Sequence, residues 1–157
     1  MNTAFLHGLD SSGRGTKGNW FRQHFPDMLI PDFNGPLKER MGQLNRLLTP
    51  LTEIFLVGSS FGGLMATIYA LENELKISGM ILLAPALNFP DFSLYSGRTT
   101  AVPTRLYIGS LDDVTPPDKV IPAAVNTFVN LEIHESDDDH LLRNTFSMID
   151  WEGCFAV

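Results

Sequence analysis

The sequence predicts an α/β fold, a doubly wound, mainly parallel sheet with helices on both faces, and three observations carry that prediction. Short apolar runs alternate with longer amphipathic stretches from residue 4 to residue 151. Most of the runs are continuously apolar, as strands buried on both faces of a parallel sheet are. One run, 54–57, leads directly into Gly58-Ser59-Ser60-Phe61-Gly62-Gly63 and a helix-compatible stretch. A glycine-framed serine in that setting marks a sharp turn from strand to helix.

The elements follow in order. Residues 4–7 form the first strand, closed by Gly8, and 14–25 a helix. Residues 28–30 are a short second strand ended by Pro31. Leu37, Met41, Leu44, Leu47 and Leu48 recur on one face of a helix over 37–48, with Pro36 before it and Pro50 after. The third strand is 54–57 and its helix 64–75; the fourth strand, 79–83, stops before Pro85. Residues 106–108 are the fifth strand, and a helix over 118–128 has Pro116 and Pro117 at its start. The sixth strand, 129–134, alternates, and the last helix runs over 141–151. Right-handed crossovers then predict six strands in the spatial order 2-1-3-4-5-6, with ligands bound beyond their carboxyl ends.

Residues 1–157 are expected to form one domain, long enough to bury a full core. Hydrophobic residues at 44% and charged ones at 18% fit neither a disordered chain nor a membrane-embedded one. The net charge of −7 argues against nucleic acid and against anionic membrane surfaces. Cys154 is the only cysteine, which excludes an internal disulfide and suits a reducing cytoplasm; it reads as a small tail residue. Residues 1–4 show no signal-peptide pattern, and no apolar run reaches the length of a membrane span. No cofactor is expected, the partner is a small-molecule substrate, and oligomeric state is left open.

Gly58 and Gly62 frame only Ser60: centring on Ser59 would need glycines at Val57 and Phe61. A serine hydroxyl needs an imidazole to take its proton, and the imidazole needs a carboxylate to fix its tautomer. On such a sheet the chain order is Ser, acid, His. Asp112 and Asp113 follow the fifth strand, and Asp112, three residues after Gly109, is the one a turn would aim inward. His7 reads as a buried hydrogen-bonding residue, His24 lies on a surface helix and His134 within a strand. His140, after the sixth strand and before the last helix, is therefore the base. The expected oxyanion donors are the backbone N–H groups of Phe61 and Leu9.

Other chemistries fit less well. The string from His134 to His140 holds four carboxylates, but no metal-ligand spacing such as His-x3-His, so no metal is expected. The aspartates read as a solvated turn, with Asp139 or a neighbour capping the last helix. The glycine-rich segment 8–18 carries Arg14 and Lys17 but lacks the Gly-Lys-Ser/Thr of a phosphate-binding loop.

Together, His7-Gly8-Leu9, Gly58-Ser59-Ser60-Phe61-Gly62-Gly63, Gly109-x-x-Asp112-x-Val114 and the late His140 resemble the α/β-hydrolases. The opening Leu6-His7-Gly8-Leu9-Asp10-Ser11-Ser12-Gly13, with Lys17 after it, is similar to the small YqiA-type (UPF0227-like) esterases. The resemblance implies a minimal α/β-hydrolase fold that hydrolyses an ester or thioester through an acyl-enzyme. The first strand stands where the family counts its third, which predicts a sheet without the family's antiparallel edge. Residues 87–102 are too few for a large cap domain. Their Phe89, Phe92, Leu94 and Tyr95 suit a partial lid or acyl pocket, or plain loop packing. Two alternatives stay open: a non-catalytic interaction protein on this scaffold, whose signature would be a broken triad, and a triad enzyme of other acyl chemistry, a peptidase or acyltransferase.

Overall fold

A computed structural model of the chain describes residues 1–156. Five strands, β1 (Asn2–Leu6), β2 (Ile54–Ser59), β3 (Ile77–Leu83), β4 (Thr104–Gly109) and β5 (Leu131–Ser136), pair in chain order and all in parallel. The helices are α1 (Thr16–His24), α2 (Leu37–Leu48), α3 (Phe61–Glu72), α4 (Pro117–Thr127), α5 (Arg143–Met148) and α6 (Trp151–Phe155).

The sheet has five strands where the sequence predicts six. Residues 28–30 lie on the outer side of β1, where the second strand was expected, but make a single bridge, Ala4 to Leu29. The Phe5 N–H donates to the Leu29 carbonyl and the Leu29 N–H to that of Thr3, both at 2.9 Å. Pro31 follows with no N–H to continue the ladder. The predicted last helix is also divided, at Ile149 and Asp150, because the Asp150 carboxylate caps a new start by accepting from Gly153 N at 3.0 Å.

Successive strand residues face opposite sides, and the two faces bury two cores. Ala4, Leu6, Leu56, Met80, Leu82 and Leu106 pack with α2, α3 and α4. Phe5, Val57, Ile81 and Leu83 pack with α1, α5 and α6 through Phe21, Phe146 and Trp151. Each such side chain contributes about 1.5–3 kcal/mol by leaving water. Residues 61–70 of α3 are all buried, as befits the one helix that is apolar on every side. Its approach to the sheet depends on two glycines. A Cβ on Gly62 would strike the Leu6 carbonyl oxygen, and one on Gly58 would stand 2.7 Å from Gly63 Cα. Among the described residues no helix is long and apolar enough to cross a membrane.

Candidate active site

Ser60 occupies the junction of β2 and α3 with φ 53° and ψ −114°. A non-glycine residue there carries roughly 1–3 kcal/mol of backbone strain, and the surroundings must enforce it. They do so through the Ser60 N–H, which donates to the Leu83 carbonyl at 2.9 Å, and the Ser60 carbonyl, which accepts from Gly63 at 2.9 Å and Ala86 at 3.0 Å. The strand end and the first turn of the helix thus fix the serine from both sides.

Its hydroxyl meets the two other predicted side chains. His140 Nε2 lies 3.1 Å from Ser60 Oγ, and His140 Nδ1 lies 2.8 Å from Asp112 Oδ2. The Asp112 side chain is fully buried, while that of His140 is 21% exposed, so the ring opens to solvent on the serine side. Asp112 Oδ1 accepts from the Val114 and Thr115 N–H groups at 2.9 and 2.8 Å. Asp113, one residue on, is exposed.

Sequence reasoning missed Thr115. This fully buried residue places its hydroxyl oxygen 2.8 Å from Asp112 Oδ2, 3.1 Å from His140 Nδ1 and 3.2 Å from the Ala84 carbonyl oxygen. The one hydroxyl proton is best directed at the carboxylate. A threonine before Pro116 reads as loop, so only the fold discloses this contact.

The loop bearing His140 is held by its neighbours. Asp138, expected as part of a solvated turn, is buried. Its Oδ2 accepts from the Thr145 N–H at 2.9 Å and hydroxyl at 2.8 Å, in the first turn of α5. Burial works to raise this carboxyl's pKa, and the hydrogen bonds from Thr145 and its neighbours outweigh it, leaving it low. Asp139 accepts from Leu141 N at 3.0 Å, and Lys17 Nζ donates to the Leu141 carbonyl at 2.7 Å.

The two expected oxyanion donors flank the serine. Phe61 opens α3, so its N–H has no intrahelical acceptor. The Leu9 N–H donates to no acceptor among the described residues. Leu9 follows Gly8, whose missing Cβ would stand 3.4 Å from Ser60 Cβ. His7 anchors this loop: its Nε2 accepts from the Phe33 N–H at 2.9 Å, so Nδ1 carries the proton and donates to the Gly8 carbonyl at 2.7 Å.

Burial pushes the His7 pKa below its ordinary value; the Gly8 carbonyl opposes the shift and the Arg40 charge adds to it. Because the unfolded chain binds this proton more readily, His7 stabilises the fold fully above about pH 6.5 and less as pH falls below it. The urea midpoint should therefore drop on acidification, more steeply in the wild type than in His7→Gln. Equal slopes would remove His7 as the cause.

His134 and His24 lie elsewhere. His134 stacks on Tyr107 with ring centroids 4.6 Å apart, its Nε2 2.7 Å from Glu132 Oε1. The exposed His24 places Nδ1 2.8 Å from the Trp20 carbonyl. Around Ser60 and His140 opens a cavity of about 350 Å³, into which Leu9, Lys17, Phe89, Val114 and Leu141 project. The arrangement suits removal of a proton from Ser60 as it attacks a carbonyl carbon.

Over residues 5–98 the chain matches the family described as serine aminopeptidase, S33. No curated protein matches it. Among solved structures, mouse alpha/beta hydrolase domain-containing protein 10 superposes with a TM-score of 0.74 at 16% identity, over 90% of this chain and 82% of the other. The monoacylglycerol lipase of Paleococcus ferrophilus gives 0.72 at 16% identity, over 92% and 90%. Est1E of Butyrivibrio proteoclasticus with ferulic acid bound gives 0.72 at 12% identity, over 88% and 80%. At such identities the likeness is one of fold.

Proposed function

The chain belongs to the alpha/beta-hydrolase family described as serine aminopeptidase, S33, and on that premise we propose that it cleaves a carboxylic ester or thioester through an acyl-enzyme. One observation carries the reading: the unbroken line from Ser60 Oγ through His140 to Asp112, at 3.1 and 2.8 Å. Ser60 attacks the acyl carbonyl carbon while His140 Nε2 takes its proton. Asp112 keeps the other ring proton on Nδ1 and stabilises the imidazolium. The Phe61 and Leu9 amides donate to the oxyanion, each worth about 10²–10³ in rate. Collapse expels the alcohol or thiol, which receives the proton from His140. Water, deprotonated in turn by His140, then releases the acid and restores Ser60.

The rim of the cavity carries apolar side chains. Leu9, Val114 and Leu141 are each close to half exposed there, which suits an apolar acyl or alcohol part. A lipase is among the proteins sharing the fold. The likeness to small YqiA-type esterases belongs to the same proposal. So does a site without a cap domain: the link between β3 and β4 holds one short 3-10 turn, Pro90–Phe92, and lends the cavity Phe89.

A fluorophosphonate probe should label the protein, and peptide mapping should find the adduct on Ser60. Labelling elsewhere, or none, would refute the proposal. Thr115 enters the mechanism as a positioning residue. Thr115→Val should lower kcat about tenfold with KM little changed, the loss of one hydrogen bond to a charged group. Thr115→Ser should restore most of it. A Val variant with wild-type kcat would remove that role.

A further inference from the structure

The cavity around Ser60 is lined by both apolar and polar side chains. Phe89, Val114 and Leu141 are among its apolar lining residues, and Ser11, Thr16 and Lys17 among its polar ones. Lys17 brings the only lysine or arginine side chain to that lining. Its Nζ donates one hydrogen to the Leu141 carbonyl at 2.7 Å, and an ammonium has three to give. No carboxylate of the described residues lies within 4.0 Å of that nitrogen. The side chain is half-buried, and burial, reinforced by the Arg143 charge, lowers its pKa, while Asp138 and Asp139 oppose that shift. Asp10, the cavity's one carboxylate, is exposed, and its charge acts on Arg40.

An ammonium partly withdrawn from water, bonded to one neutral carbonyl, gains most from an anion brought in with the substrate. Resting on the acyl-enzyme reading above, we propose that Lys17 is a specificity-determining residue that selects esters or thioesters bearing a second, anionic group near the scissile carbonyl. The position follows from the fold. Lys17 is bonded to the residue after His140, so the anion it binds lies in the cavity that holds the reacting atoms. The apolar side chains of the lining receive the uncharged part of the same substrate. The anion can belong to the acyl part or to the leaving group, and both present the same chemistry to the ammonium.

Two matched ester pairs separate these sources. Mono-4-nitrophenyl glutarate against 4-nitrophenyl pentanoate adds a carboxylate to the acyl part at constant chain length. The ester 4-butanoyloxybenzoate against 4-butanoyloxybenzamide adds one to the leaving group. In at least one pair the wild type should prefer the anionic ester about tenfold in kcat/KM, on the scale of a charge-assisted hydrogen bond. Added salt should reduce that ratio. Lys17→Met keeps the aliphatic stem and should bring the ratio to one or below; Lys17→Arg should retain most of it. Fluorophosphonate labelling is run in parallel. Ser60 labelled with no anionic preference in either pair, or with a preference that survives in Lys17→Met, overturns this inference alone. Ser60 unlabelled and all four esters uncleaved overturns the hydrolase reading, and this inference with it.

Discussion

Replacing Ser60 by alanine should lower turnover of short p-nitrophenyl esters by about 10⁶-fold, the scale on which serine hydrolases lose rate when the nucleophile is removed. The substitution deletes only the oxygen 3.1 Å from His140 Nε2. Alanine meets the same backbone strain at φ 53° as serine does, so circular dichroism and the melting temperature should hardly change. What survives is the activity of the Phe61 and Leu9 amides and of binding alone. Undiminished turnover in a correctly folded Ser60→Ala protein would end the acyl-enzyme account.

The second large effect is expected at Asp112. Asp112→Asn should cost about 10³–10⁴-fold in kcat, and Asp113→Asn less than twofold. Asp112 Oδ1 accepts two backbone N–H groups, from Val114 and Thr115. In the asparagine variant that position must keep the oxygen, so the amide NH₂ takes the place of Oδ2. It would then point its hydrogens at His140 Nδ1 and the Thr115 hydroxyl, which stand 2.8 Å from Oδ2. The ring would answer by moving its proton to Nε2, where it can no longer accept from Ser60. The exposed Asp113 makes no such contact. The reverse ranking would transfer the role to Asp113.

The parts of the site legible in the sequence are those with a local signature. Ser60 stands between glycines that the packing of α3 on the sheet requires, and a side chain at either is obstructed by backbone atoms. Asp112 follows the glycine that ends β4, and His140 is the late histidine that lies beyond a strand rather than inside one. The parallel sheet was legible for a similar reason, since buried strands have no polar face. Contacts across the sequence were not. Thr115 reaches His140 over 25 residues, Lys17 reaches Leu141 over 124, and neither partner alters the local pattern of the other. Two elements were misjudged where composition and pairing disagree. Residues 28–30 are apolar enough for a strand, yet the hydrogen bonds they can make stop at Pro31. The stretch 141–151 is helical in pattern, yet the Asp150 carboxylate ends one helix and starts the next.

The unusual backbone at Ser60 has a consequence for how the protein comes to possess its chemistry. That conformation is not one a free chain would rest in, and it is imposed partly from β3 and the loop after it, through Leu83 and Ala86. The imidazole and carboxylate arrive from later segments still. An emerging polypeptide that has finished only the elbow therefore carries an ordinary, inert hydroxyl. On the proposed chemistry, Ser60 becomes a nucleophile only once those later segments are in place.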